Sequence, residues 1–305
     1  MGVGYLGIFG HVALDHILKV PRLPRPNTSI GVIDRRQYFG GTAGNVARWA
    51  GTLGVPTSLA SFVGEGFPPE YRQALEKSGV DLTDLTAIPG ERTPVAWIFG
   101  DGKGDQMAVV DQGAMLQAPL QSVQEHTVRN SQIVHLMTGQ PRYYRRVAAL
   151  ARSLSRDVAV DPSQEIHYVY RAADLKALLA HARFFFGNEA EVRQALRFLR
   201  LRSVRDLAAK VPVVVQTLGS KGSAVYDRGA RIAVPRIRPK RVVDVSGAGD
   251  AYRSGFYAGL SRGFDLGDCG VLGAAAASFA IETVGTQTNI PTWPGLVARA
   301  GRRLH

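Results

Sequence analysis

Short runs of β-branched and aromatic residues alternate with helix-patterned segments along almost the whole chain, and no other feature constrains the fold as strongly. YLGIFG (5–10) opens as a strand, AGNVARWAGTLG (43–54) reads as a helix closed by Gly54, SLASFVG (58–64) as a strand, and EYRQALEKSG (70–79) as a helix stopped by Gly79. Further on, QIVHLMTG (132–139), DVAVDPS (157–163), ARFFFGNE (182–189) and VPVVVQTLG (211–219) each end a strand-length run in polar or glycine residues before helix-like sequence. Repetition of this unit predicts an α/β fold: a mostly parallel central sheet with helices on both faces and ligands beyond the carboxyl ends of the strands. With 305 residues and 45% hydrophobic content, the chain can bury such a core as one domain, 1–305.

Two stretches break the alternation. Residues 12–38 are strand-like around a Pro-rich turn, and residues 94–111 read as two strands joined by the turn signal Asp101-Gly102-Lys103-Gly104. Neither has a helix between its strands, so together they are expected to form a small antiparallel sheet inserted in the main domain as a lid.

The formal charge is +12, carried mostly by arginine, yet no block of five or six like charges exists; PRYYRR (141–146) and RIRPKR (236–241) are the nearest clusters. Nucleic-acid binding needs a concentrated basic patch with aromatic platforms, for which Tyr143-Tyr144 is the one candidate, so no nucleic-acid partner is expected. Cys269 is the sole cysteine, which excludes an intrachain disulfide and suits a reducing cytoplasm. The N-terminus lacks a signal-peptide pattern. GVLGAAAASFAIETVG (270–285), the most apolar segment, is too short and too rich in small residues to span a membrane, so a buried helix and no membrane partner are expected.

Three glycine clusters differ in what they imply. GVGYLG (2–7) matches the dinucleotide fingerprint by spelling alone, because no strand precedes it and a strand follows. In GGTAGN (40–45) the glycines precede a helix, so backbone can approach a small ligand and Asn45 can serve sugar hydroxyls; the same residues also read as a Gly-rich turn with a helix-capping Asn. In VVDVSGAGDAYRSGF (242–256) a strand ends in Gly247-Ala248-Gly249 at a helix start, where backbone N–H groups and the helix dipole attract an anion. Asp250, next in sequence, could take the proton of a hydroxyl beside that anion, which suits phosphoryl transfer; it could equally be a helix cap.

Taken together, these segments resemble the ribokinase-like, PfkB-type kinases. VVDVSGAGDAYRSGF resembles their C-terminal signature and FGGTAGNVARWAGTLG (39–54) their N-terminal one. GHVALDHI (10–17), GNEAEV (187–192), TLGSKGS (217–223) and VGTQTNIPT (284–292) follow in the family's order over nearly the whole chain. The resemblance implies a three-layer α/β/α sandwich with a β-sheet lid. It makes Asp250 the general base and Gly247, Ala248 and Gly249 the anion hole. Asp15, Gly41 and Asn45 would hold acceptor hydroxyls, while Asn188 and Glu191 would order Mg²⁺ and its waters against ATP, although that pair also reads as a helix start. Thr217, Gly219 and Gly222 would contact the nucleotide, and Asp244, Ser246, Ala280, Gly285 and Asn289 match a monovalent-cation (K⁺) site of some members.

Departures from the pattern bear on the substrates. Ser246 replaces a common Thr but keeps the hydroxyl, Gly273 stands where bulkier residues near adenine are common, and Thr42-Ala43-Gly44 differs from ribokinases themselves. DQMAVVDQGAM (105–115) resembles the lid segment of adenosine-type and broad-specificity nucleoside kinases. The expected acceptor is therefore the 5′-hydroxyl of a nucleoside, with Ile98, Met107 and Val109 facing the base and Asp111 and Gln112 bonding its edge. A free or phosphorylated sugar is the alternative acceptor, and a nucleotide or sugar sensor the non-enzymatic one. His11 is read as structural, and a homodimer formed through the exposed lid edges is expected.

Overall fold

The structure, a computed structural model, describes residues 4–101 and 106–304. Strands β1 (Leu6–Phe9), β2 (Ala13–Lys19) and β3 (Asp34–Gly40) precede helix α1 (Thr42–Thr52). Then come β4 (Thr57–Glu65), α2 (Pro69–Lys77), β5 (Val80–Asp81), β6 (Leu85–Arg92), β7 (Val95–Gly100) and β8 (Gln106–Asp111). The middle of the chain contributes α3 (Glu125–Arg129), β9 (Ile133–Leu136), α4 (Pro141–Ser153), β10 (Asp157–Val160), α5 (Ala172–Leu179), β11 (Phe184–Asn188), α6 (Glu189–Leu199), α7 (Val204–Ala208) and β12 (Val213–Thr217). Strands β13 (Ser223–Asp227) and β14 (Ala230–Val234) and helices α8 (Ala248–Leu260), α9 (Leu266–Ala280) and α10 (Trp293–Ala300) complete it.

The large sheet runs β14-β13-β12-β11-β10-β9-β1-β4-β5, with β6 also on β4. Every pairing from β12 to β5 is parallel, and the β12-β13-β14 edge is antiparallel. Successive side chains of a strand face opposite ways, and β11 shows the effect. Phe184 and Phe186 pack with Trp49, Phe256 and Tyr257 on one face, whereas Phe185 packs with Tyr143, Val147 and Leu175 on the other. Each such buried aromatic stabilises the fold by ~1.5–3 kcal/mol relative to leaving it in water. Helix α9 is apolar on all sides and lies buried between α8 and the sheet; among the described residues no helix is long and apolar enough to cross a membrane.

The second sheet has the order β3-β2-β7-β8. Both expected hairpins are antiparallel, but β2 pairs β7 in parallel, so the lid is mixed rather than antiparallel. Each hairpin leaves the main body along its first strand, and the two first strands lie side by side pointing the same way. Of the turn signal that joins β7 and β8, residues 102–104 lie outside the described residues. Cross-strand partners share a face, so Asp15, Ala96 and Val110 face one way together with Ile98 and Ala108.

Candidate active site

Two cavities lie at the carboxyl ends of the parallel strands. The larger, about 640 Å³, opens between the sheet and the lid, and the smaller, about 420 Å³, lies between β12, α8 and α9. Asn188, Thr217, Val245 and Gly249 line both, so the cavities share a wall.

Asp250 stands in the first turn of α8 and faces the larger cavity. The helix begins after Gly247, whose φ of 71° favours glycine and whose missing β-carbon would fall 2.7 Å from Thr286 Cβ. The amides of Gly249 and Asp250, in the first turn of the helix, have no intrahelical acceptor, while the Ala248 N–H donates to Val245 O at 3.3 Å. Of the expected anion-hole residues, Gly247 and Gly249 line the larger cavity and Ala248 the smaller.

Asn45 Nδ2 donates to Asp250 Oδ2 at 2.7 Å. Its Oδ1 accepts from Thr286 Oγ1 (2.7 Å) and Gln287 Nε2 (2.8 Å), which leaves only the amide nitrogen for the carboxylate. Burial pushes Asp250 up to about 7, against the lowering pull of Arg253 and the Asn45 hydrogen bond. Asp15, 6% exposed, is likewise pushed up to about 7 by burial and then by the charge of Asp250. Its carboxylate lies against Gly40, where any side chain would collide with it, and Gly41 turns the chain at φ 80° into α1. Asp15, Gly41, Asn45 and Asp250 therefore converge on one cavity.

Asn188 and Glu191 form a capping box at the start of α6. Asn188 Oδ1 accepts the Ala190 and Glu191 N–H groups, and Glu191 Oε2 accepts the Asn188 N–H at 2.7 Å. Both also line the larger cavity, so capping and a ligand role are compatible here. Burial raises the Glu191 carboxyl above its ordinary value. Thr217, Gly219 and Gly222 line the smaller cavity, walled by Ile237, Tyr252, Ala274, Ala277 and Ile281. Asp244 accepts N–H groups from Ser246 (2.9 Å) and Gly285 (3.3 Å), and Asn289 Nδ2 donates to Phe279 O beside Ala280. These five positions thus lie near one another.

Other expected residues are placed differently. Ile98 and Met107 line the larger cavity with Ala96, Ala108 and Val110, whereas Val109 is one residue out of phase and 52% exposed on the outer lid face. Asp111 caps the next turn through the Gly113 N–H (3.0 Å), and neither it nor Gln112 lines the cavity. Gln112 instead stands behind the wall, its Oε1 accepting from His11 Nε2 (2.7 Å) and its Nε2 donating to Glu165 Oε1 (2.6 Å). Gly273 packs against Tyr252 and does not line the smaller cavity. Tyr143 and Tyr144 are core residues and offer no aromatic platform to nucleic acid.

Motif reading missed Arg253, Glu165 and Thr138, all of which line the larger cavity, and Asp161, which grips Arg253. Only Arg253 carried a signal: three residues after Asp250 on a helix, it shares that residue's face.

Residues 4–293 match the model of the pfkB family of carbohydrate kinases. The chain is 37% identical to a nucleoside kinase of Methanocaldococcus jannaschii over 95% of its own length and 94% of that protein's. It is also 37% identical to a nucleoside kinase of Methanothermobacter thermautotrophicus, covering 92% and 91% of the two chains. The crystal structure of the M. jannaschii nucleoside kinase, an archaeal member of the ribokinase family, superposes with a TM-score of 0.89 at 35% identity over 99% of this chain and 100% of that one. With a glycine-lined helix start, a buried carboxylate and two adjoining cavities in place, the chain belongs to the pfkB family of carbohydrate kinases and is a phosphotransferase acting on a hydroxyl group.

Proposed function

We propose that the protein transfers the γ-phosphoryl group of ATP to the 5′-hydroxyl of a nucleoside. The observation that carries this reading is the two-sided larger cavity: a polar floor of Asp15, Gly41, Asn45 and Asp250 faces an apolar wall of Ala96, Ile98, Ala108 and Val110. A free sugar needs the floor but not the wall, and a nucleobase uses both. A sugar phosphate would want cations at the far end, yet Arg253 and His11 are the only basic residues lining the cavity among those described. The kinship with nucleoside kinases points the same way.

In this reading ATP occupies the smaller cavity with its γ-phosphate at the shared wall. Asp250 takes the proton of the acceptor hydroxyl as that oxygen bonds to phosphorus, and the bond from phosphorus to the ADP oxygen breaks. The Gly249 and Asp250 amides hold the transferring group. Asp15 and Asn45 orient the ribose, and the lid excludes water that would otherwise take the phosphoryl group. The Glu191 carboxylate fits a hard cation approached through water. One of its oxygens is held by the Asn188 N–H, and the other has no hydrogen bond among the described residues. Mg²⁺ bound there would neutralise phosphate charge. The Asp244 carboxylate and the Ser246 hydroxyl, with the backbone carbonyls of Ala280 and Gly285 and the Asn289 side-chain oxygen, would offer K⁺ the oxygen ligands it takes. The outer lid face and the edge strands β3 and β8 would meet a second copy of the chain.

The test is ADP release from ATP with inosine, adenosine, cytidine, uridine, ribose, fructose and ribose phosphates, run with Mg²⁺ or EDTA and with K⁺ or Na⁺. Nucleosides should turn over only with Mg²⁺ and faster with K⁺, and Asp250→Asn should lower kcat about 10³-fold while nucleoside binding stays within a few-fold. Activity confined to sugars would overturn the acceptor, and an active Asp250→Asn would remove the base.

A further inference from the structure

Arg253 is among the most enclosed cations of the molecule, and its arrangement is asymmetric. Its Nε donates to Asp161 Oδ2 and its Nη2 to Asp161 Oδ1 at 2.8 Å, a two-pronged grip on a fully buried carboxylate. Asp161 is held in turn by His135 Nε2 at 3.3 Å. The remaining nitrogen, Nη1, has no hydrogen-bond partner among the described residues and lies where a β-carbon on Gly249 would come within 2.6 Å of it. Arg253 lines the larger cavity beside Gly247, Gly249, Asp250 and Glu191.

We infer that Arg253 is a catalytic residue of the phosphoryl transfer: Nη1 donates to a non-bridging oxygen of the transferring group, and Asp161 is the positioning residue that aims it. The inference rests on the kinase reading above. A guanidinium is planar, so fixing two of its nitrogens on one carboxylate fixes the direction of the third. Here the third nitrogen lies beside Gly249 in the first turn of the helix, on the wall of the same cavity. Charge on the transferring group spreads over its three outer oxygens in the transition state, and two amides from one helix end cover only one side of it. A cation lining the cavity supplies a further donor beside those amides, and in a low-dielectric site it needs no reorganisation as charge develops. The pairing with Asp161 keeps the net charge of the buried floor low before ATP arrives.

A purely structural role would also account for the ion pair, so the experiment separates the two. Arg253→Lys keeps the charge but loses the fork. The double variant Arg253→Met/Asp161→Leu removes both charges together, which avoids leaving one buried and unpaired. Each is assayed with ATP and inosine or cytidine beside the parent protein and Asp250→Asn, and each is tested for binding of ADP with aluminium fluoride and nucleoside, a mimic of the transferring group. Both variants should lose kcat by 10²-fold or more, keep nucleoside KM within threefold, and bind the fluoride complex far more weakly relative to ADP alone. Methylguanidinium should restore part of the rate to Arg253→Ala and none to Asp250→Asn. A folded double variant with kcat within threefold of the parent, or unchanged affinity for the fluoride complex, would overturn the inference. A parent protein that phosphorylates none of the acceptors would instead overturn the kinase reading on which it rests.

Discussion

The role proposed for Asp250 asks it to be ionised where ionisation is disfavoured. Burial raises it to about 7, and Asp15, raised to about 7 as well, gains part of its shift from Asp250 itself. A general base works only in its deprotonated form, so as pH falls through about 7 the protein should lose activity, and as pH rises it should regain it and level off. A pH profile of kcat/KM should therefore show an acid limb near neutrality; a limb near the ordinary carboxylate value of about 4 would mean a solvated base. Asp250 and Asn45 were legible in the sequence because each adjoins glycines that only a close ligand or a sharp turn requires, whereas Asp15 was marked only by the resemblance of GHVALDHI to a segment of the kinase family. Asp161 was not, since its pairing with Arg253 spans 92 residues and nothing local marks it, and Arg253 was marked only by its three-residue spacing from Asp250.

The elements divide in the same way between what is local and what is not. Strand and helix identity follows from periodicity, and β1, β4 and β9 to β12 stand where alternating patterns put them. The parallel join of β2 and β7 escaped prediction because no turn links those strands; it depends on how two separate hairpins emerge from the main body. The one-residue phase of β8 likewise decides which residues meet the cavity. It turns Val110 inward and leaves the 52% exposed Val109 outside, with its cross-strand partner Trp97 on the same outer face. If two copies associate through that face, Val109→Asp should shift sedimentation from dimer to monomer at micromolar protein. The folded lid should be retained, because the residue touches solvent rather than core. A parent protein that sediments as a monomer would exclude this interface.

At the scale of the molecule, the sheet with helices on both faces could be read from the order of its strands and helices. The two cavities could not, because their shapes depend on how loops from β1, β9, β10, β11 and β12 come together at one end of the sheet. A net charge of +12 is spread along the chain rather than gathered in one block, and Arg236 borders the smaller cavity, where an anionic nucleotide would enter. The wall shared by the cavities, formed by Asn188, Thr217, Val245 and Gly249, has a practical consequence. A single compound in which adenosine and a second nucleoside are joined end to end by a polyphosphate bridge could fill both chambers at once. The second half would then bind at the high effective concentration set by the tether, on the order of millimolar for a short flexible link. Such a compound should compete with ATP and with the acceptor together, and calorimetry should find it bound far more tightly than either nucleoside alone. An inhibitor drawn to this outline would select for the distance between the chambers, a property that neither chamber possesses by itself.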